Sequence, residues 1–314
     1  MMMYPRKVAI GFQEGTCPLK CPKCFAFNGK TGRKKTVHKM PASSAIQLID
    51  EIAGWEQKPV IQPHIFTEPF ANQELGEIMR YIHKQGMSMS TITNGILLNT
   101  KWMDFILSEC SRKDTITFSL DALSQEIYEK VRGKYSLAEL EDKIEYLLKH
   151  RTDSLGSRIG VSYTVEQENY KDVGDFIDKW KYKVDFVRVD VALDENKKIP
   201  ERFRKSEVKD ISACGLLDEV MTIDADGHVR ACQYDAFGDS DFGNVFEEGV
   251  LEIWRGTALE RHRTKQRKGE LNTSNFCFGC EGIYCTKLTD RNIGDVTIRE
   301  AAYVRYYNRT VKVN

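Results

Sequence analysis

The chain has no long hydrophobic run. Its apolar stretches, such as VAIGF and ILL, fall far short of the roughly 20 residues a membrane-spanning helix needs. A membrane protein is therefore not expected. Nor does an apolar segment follow the start MMMYPRK, as a secretory signal would require, so the expected compartment is the cytoplasm. Net charge is also missing: 46 basic residues balance 46 acidic ones, which removes the overall electrostatic footprint of a nucleic-acid partner or an anionic membrane. Small or neutral partners are what remain.

Cysteine is present, but not in the pattern of a disulfide-stapled domain. The nine cysteines of this 314-residue chain are odd in number and grouped, which suggests ligands rather than bridges. Cys17, Cys21 and Cys24 are too close in sequence for ordinary mutual pairing. Without a secretion signal the thiols stay reduced, and metal or an iron-sulfur cluster becomes the leading reading.

From the start to about residue 195, short β-rich runs alternate with amphipathic helical stretches. That order predicts a parallel sheet with crossover helices. Strands are expected at 7–12, 60–66, 88–93, 115–120, 158–165 and 183–192, with helices at 43–55, 72–86, 100–110, 136–150 and 170–182. In the fourth helix Leu137, Leu140, Ile144 and Leu147 share a face, and Ser136 with Glu139 forms a capping box. The charged run DENKKIPERFRKSEVKD then reads as a linker, dividing the chain into 1–200 and 201–314. Beyond it EVMTIDADGHVRAC predicts a hairpin, and EEGVLEIWRG, ALERHRTKQRKG and TIREAAYVRYYNR predict helices.

Three thiolates at C-x3-C-x2-C can hold three irons of a cubane cluster and leave the fourth without a protein ligand. A zinc site completed by a distant residue is the alternative. Position favours the cluster, because the triplet follows the first of six strands, at the end where barrel active sites sit.

With these residues the sequence resembles the radical S-adenosylmethionine (SAM) enzymes: C17-P-L-K-C-P-K-C24 matches their cluster motif, and the six-strand pattern their core. The resemblance implies an α/β fold, a partial (β/α)6 TIM-like barrel, whose cluster binds SAM at its open iron and generates a 5′-deoxyadenosyl radical. It further implies that Glu68, in F66-T-E-P-F70, accepts hydrogen bonds from the SAM ammonium, in the place of the family's G-G-E-P. Thr93 and Asn94 of T93-N-G95, and Ser119 and Asp121 of S119-L-D-A122, correspond to positions near SAM and its ribose. Two positions depart from the family: Lys23 replaces an aromatic residue before the third cysteine, and Thr67 replaces a glycine.

Cys214, Cys232, Cys277 and Cys280 supply four more thiolates, enough for a fully ligated auxiliary four-iron cluster; a zinc ribbon is the alternative. The stretches ending at Cys232 and Trp254 resemble the hairpin and helix of the SPASM and Twitch extensions of radical SAM enzymes. The cofactors implied are SAM and two 4Fe-4S clusters, with a flavodoxin or ferredoxin as electron donor. Cys285 is left over, as a replacement for one of the four ligands, part of a second partial site or a candidate hydrogen donor, and Cys110 as a small buried hydrophobe. The expected reaction is dehydrogenation or epimerization of a sugar- or aminocyclitol-type small molecule, since the barrel begins within ten residues of the start with no leader-binding domain before it. Peptide epimerization or crosslinking is the second expectation, and a zinc-stabilised binding protein a third, of another class.

Overall fold

A computed structural model describes residues 2–24, 26–27, 35–192, 214–278, 280, 289–293, 296–300 and 304–309. The strands used below are β1 (Lys7–Ile10), β2 (Val60–Gln62), β3 (Ser90–Thr93), β4 (Thr115–Ser119), β5 (Arg158–Val165), β6 (Phe186–Val191), β7 (Val220–Ile223), β8 (Val229–Arg230), β9 (Thr289–Ile293), β10 (Val296–Glu300) and β11 (Val304–Arg309). The helices are α1 (Ala42–Ala53), α2 (Leu75–Lys84), α3 (Thr100–Glu109), α4 (Gln125–Val131), α5 (Leu137–His150), α6 (Val173–Trp180), α7 (Gly215–Glu219), α8 (Val245–Glu248), α9 (Val250–Trp254) and α10 (Thr257–Arg267). The first six strands are the six expected from the sequence.

The chain packs as two compact units. The first comprises residues 1–18, 24–91 and 211–283. Its sheet runs β8-β7-β1-β2, with β1 parallel to both β2 and β7 and with β8 antiparallel to β7. The predicted hairpin is therefore present, and its first strand also extends the sheet beside β1. Val8, Ala9 and Ile10 are fully buried, as expected of a strand covered on both faces. An isolated parallel bridge joins Ile61 to Met89.

The second unit comprises residues 19–23, 92–210 and 284–314. Its sheet runs β3-β4-β5-β6-β11-β10-β9. The capping serine of α5 is in place, Ser136 Oγ accepting from the Glu139 amide at 3.2 Å. The four apolar residues of α5 are buried, each contributing about 1.5–3 kcal/mol.

Two expectations fail. Residues 297–309, read as a helix, form most of β10 and β11, and β11 pairs antiparallel with β6, Val304 opposite Asp190. The run is rich in β-branched and aromatic residues, and an unpaired edge on β6 outweighs a helical spacing that a short segment also satisfies by chance. Helix α4 was not expected; Ser124 caps it, Oγ accepting from the Ile127 amide at 3.4 Å.

Candidate functional site

In the first unit the cysteine loop leaves β1 and returns through a two-residue ladder, Gln13–Glu14 against His38–Lys39. Cys17 and Cys24 are half-buried here. Thr16, just before Cys17, receives two hydrogen bonds on its carbonyl, from the Glu68 amide at 2.7 Å and from Thr67 Oγ1 at 2.8 Å. The segment bearing Glu68 is thus fastened to the base of the cysteine loop. Glu68 is buried and caps a short 3-10 turn, Pro69–Ala71, accepting from the Phe70 amide at 3.4 Å. Phe66 has φ +48°. This left-handed backbone, costly for a bulky residue, occupies the place of the first glycine in G-G-E-P.

Cys21 is buried in the second unit, and Lys23, half-buried, belongs to the same unit. Lys23 Nζ stands 2.5 Å from Asp121 Oδ2 and 2.8 Å from Glu166 Oε1, and Arg132 Nη1 reaches the same Asp121 oxygen at 3.2 Å. Asp121 Oδ1 accepts from the Thr164 amide at 2.6 Å. Burial disfavours both charges, but Lys23 and Arg132 outweigh it and hold Asp121 below the usual carboxylate range. Likewise, burial is outweighed by Asp121 and Glu166 in raising the Lys23 ammonium. Asp121 has φ +57°, a conformation that Asp tolerates better than most residues. Both of its oxygens are thus engaged by protein groups.

The other strand-end residues make local turns. Thr93 Oγ1 accepts from the Gly95 amide at 2.9 Å and Asn94 Oδ1 from the Ile96 amide at 3.0 Å. Gly95 has φ +76°, and a Cβ there would meet Phe118 at 2.9 Å and Leu140 at 3.0 Å. Ser119 closes β4 opposite Ser162. Of the later strand ends, Tyr163 belongs to the core, its hydroxyl donating to the Asn169 carbonyl at 2.7 Å and its ring packed on Phe176. Arg188 and Asp190 form an ion pair at 2.7 Å.

The second cysteine group lies wholly in the first unit. Cys214, Cys232, Cys277 and Cys280 are all free thiols, and the first three are near enough to other thiols of the group for their charge to be disfavoured. Burial first, then neighbouring thiols, raises Cys232 well above its ordinary value and Cys277 to about 12. Cys214 is raised by burial too, while the Leu216 and Leu217 amides at the start of α7 pull it down. The Tyr234 amide donates to Cys232 Sγ at 3.4 Å, and His262 Nε2 lies 3.3 Å from Cys277 Sγ.

Such thiols become stable thiolates only against a cation, and N–H groups around the sulfurs are what iron-sulfur sites use. Four cysteine thiols are a full ligand set for a four-iron cluster. The donor set fits a cluster.

Cys110 is fully buried at the end of α3, its thiol pushed by burial to about 12, as suits a small hydrophobe. Cys285 lies outside the described residues. Sequence reasoning missed His262 and also His64, which follows β2 and which burial lowers to about 3. Among the described residues no helix is long and apolar enough to cross a membrane.

Comparison with known proteins bears on these sites. Residues 15–179 match the Radical SAM superfamily and residues 214–281 the SPASM iron-sulfur cluster-binding domain. An uncharacterized protein of Treponema pallidum is 28% identical over 69% of this chain and 63% of its own length. The antilisterial bacteriocin subtilosin biosynthesis protein AlbA of Bacillus subtilis is 24% identical over 88% of this chain and 68% of its own. The chain thus spans about two thirds of these relatives.

Among solved structures, BtrN in complex with AdoMet and 2-DOIA aligns over 90% of this chain and 94% of its own at 14% identity and a TM-score of 0.58. The protein anSMEcpe with bound AdoMet aligns over 88% and 86% at 17% identity and a TM-score of 0.64. Streptococcus suis SuiB bound to precursor peptide SuiA aligns over 90% and 71% at 16% identity and a TM-score of 0.62. At these identities the likeness establishes the fold: α/β, a partial (β/α)6 TIM-like barrel with a C-terminal extension. The chain belongs to the radical SAM superfamily and carries a SPASM domain, and it is accordingly a radical SAM enzyme whose cofactors are S-adenosylmethionine and 4Fe-4S clusters.

Proposed function

We propose that the enzyme dehydrogenates or epimerizes a sugar- or aminocyclitol-type small molecule, with residues 1–200 as catalytic core and 201–314 as auxiliary-cluster domain. Cys17, Cys21 and Cys24 hold the SAM-binding cluster. Glu68, whose segment is fastened to the Thr16 carbonyl, accepts from the SAM ammonium. Thr93, Asn94, Ser119 and Asp121 line the SAM site, Asp121 doing so through Lys23 and Arg132, which already occupy it. When bound, the cofactors supply a 5′-deoxyadenosyl radical that takes a hydrogen atom from the substrate, and an auxiliary cluster able to relay the electron left behind. A flavodoxin or ferredoxin supplies the reducing electron.

The observation that carries this reading is the presence of four free thiols, Cys214, Cys232, Cys277 and Cys280, within the first unit. Four ligands leave an auxiliary cluster no open iron, which suits electron relay and therefore oxidation better than direct binding of substrate. BtrN, whose structure contains 2-DOIA and which aligns over nearly its whole length, supports a small substrate. AlbA, named for bacteriocin biosynthesis, supports a second reading, in which the substrate is a peptide.

Turnover in deuterium oxide of an aminocyclitol panel and of peptides tests both. A small-molecule product two hydrogens lighter, without solvent deuterium on carbon, supports dehydrogenation. Solvent deuterium on carbon, lost on Cys285→Ala, supports epimerization with Cys285 as donor. Turnover of a peptide and of no polyol overturns the small-molecule reading.

A further inference from the structure

Helix α10 is the most polar helix of the first unit, yet one of its faces is buried. Leu259, His262, Arg263 and Gln266 are all covered. Arg263 anchors the helix: Nη1 donates to the Trp254 carbonyl at 2.8 Å, Nε donates to the Leu217 carbonyl at 3.2 Å, and the guanidinium lies 4.0 Å over the Trp254 ring. His262 and Gln266, one turn apart, project from the same side of the helix. Each reaches a different cysteine of the second group. Gln266 Oε1 accepts from the Cys214 amide at 3.1 Å, and His262 Nε2 lies 3.3 Å from Cys277 Sγ. The His262 ring is braced edge-on by Phe242, at a centroid distance of 5.2 Å.

We infer that His262 is a positioning residue that donates an Nε2–H hydrogen bond to Cys277 Sγ and thereby raises the reduction potential of the auxiliary cluster. This rests on the assignment of Cys277 as a cluster ligand. A ligating thiolate carries no proton, so between these two atoms only the imidazole can donate, whatever its charge state. The bond strengthens as electron density on the sulfur grows, so it favours the reduced cluster. Gln266 holds the Cys214 backbone amide, a contact that places the loop. The backbone N–H at Cys232 Sγ survives any side-chain substitution, which makes His262 the accessible lever on the potential.

The test uses the full chain carrying Cys17→Ala, Cys21→Ala and Cys24→Ala, so that only the auxiliary cluster contributes, and reads iron content and the midpoint potential by EPR-monitored titration. In this background His262→Phe keeps the ring volume and is expected to retain about four irons. Its reduction equilibrium shifts about tenfold toward the oxidised form, a fall of about 59 mV for one electron. His262→Gln, which retains an N–H, falls less. Gln266→Met loses iron before it changes the potential. An unchanged potential in an iron-replete His262→Phe protein overturns the proposal.

Cys277→Ala separates the two assignments, since a cluster EPR spectrum and midpoint potential unchanged there from those of the Cys277 protein remove Cys277 as a ligand, whatever His262 does. Should His262→Phe fail to hold iron, pulsed EPR on the protein with His262 intact decides. Weak coupling to one histidine nitrogen is expected for a hydrogen bond through sulfur. Either no nitrogen coupling or the strong coupling of a directly ligating nitrogen overturns it.

Discussion

Lys23 and Asp121, 98 residues apart, form a part-buried ion pair, Asp121 buried and Lys23 half-buried, with Nζ 2.5 Å from Oδ2. The pair ties the residue before the third cysteine to the turn after β4. Glu166, after β5, takes the same ammonium at 2.8 Å. The lysine that stands where the family has an aromatic residue thus substitutes an ionic tether for ring packing.

Removing that ammonium leaves two buried carboxylates with Arg132 as their remaining cation. Lys23→Met is expected to cost about 3–5 kcal/mol in urea unfolding, the usual loss when one partner of a buried pair is deleted. Adding Glu166→Gln should recover part of it. Equal stability of Lys23→Met and the parent chain would contradict the tether.

Glu68→Gln separates SAM binding from local structure, because glutamine keeps a carbonyl oxygen for the Phe70 amide but loses the charge. Loss of a hydrogen bond to a charged group, about 1.5–3 kcal/mol, predicts SAM affinity lower by about 10- to 100-fold with iron content unchanged. SAM titration of the EPR signal measures the first and iron analysis the second. Unchanged affinity removes Glu68 from the site.

Asp185 is the structural counterpart, a carboxylate held by arginines and a backbone amide within the second unit. Its side chain takes Arg151 on both oxygens, Arg112 Nη2 at 3.1 Å and the Ile159 amide at 2.6 Å. Burial raises its pKa, and Arg151, the Ile159 amide and Arg112 together more than reverse that, leaving it below the ordinary value. A depressed carboxyl stabilises the fold above the unfolded pKa of about 3.9, and the contribution is lost as pH falls through the lower folded value. Asp185→Asn should therefore cost about 3 kcal/mol at pH 7, with the difference constant down to about pH 5 and shrinking below about pH 4. A difference that shrinks already between pH 7 and 5 would contradict this.

The six core strands and the hairpin before Cys232 were legible because alternation, apolar runs and turn residues are local signals. The C-terminal strands were not. In 297–309 the apolar spacing suits a helix as well as a strand, and the deciding factor, the edge of β6, is more than 100 residues away in sequence. Lys23 could be noticed as a departure, but Asp121 and Glu166 as its partners could not, since nothing local links residue 23 to the ends of β4 and β5. His262 was hidden for a related reason. On a helix as charged as ALERHRTKQRKG a histidine reads as surface, and only the anchoring of Arg263 turns that face inward. A signal was present in the i, i+4 pair His262 and Gln266, but it gains meaning only beside Cys214 and Cys277.

Iron content per chain tests the central assignment most directly, determined after anaerobic reconstitution in three proteins: the parent chain, the Cys17→Ala, Cys21→Ala, Cys24→Ala variant, and the Cys214→Ala, Cys232→Ala, Cys277→Ala, Cys280→Ala variant. Two four-iron clusters held by separate cysteine groups predict about eight irons in the first and about four in each of the others. About four irons in the parent, lost with one group and unaffected by the other, or zinc in place of iron in the second group, would contradict it.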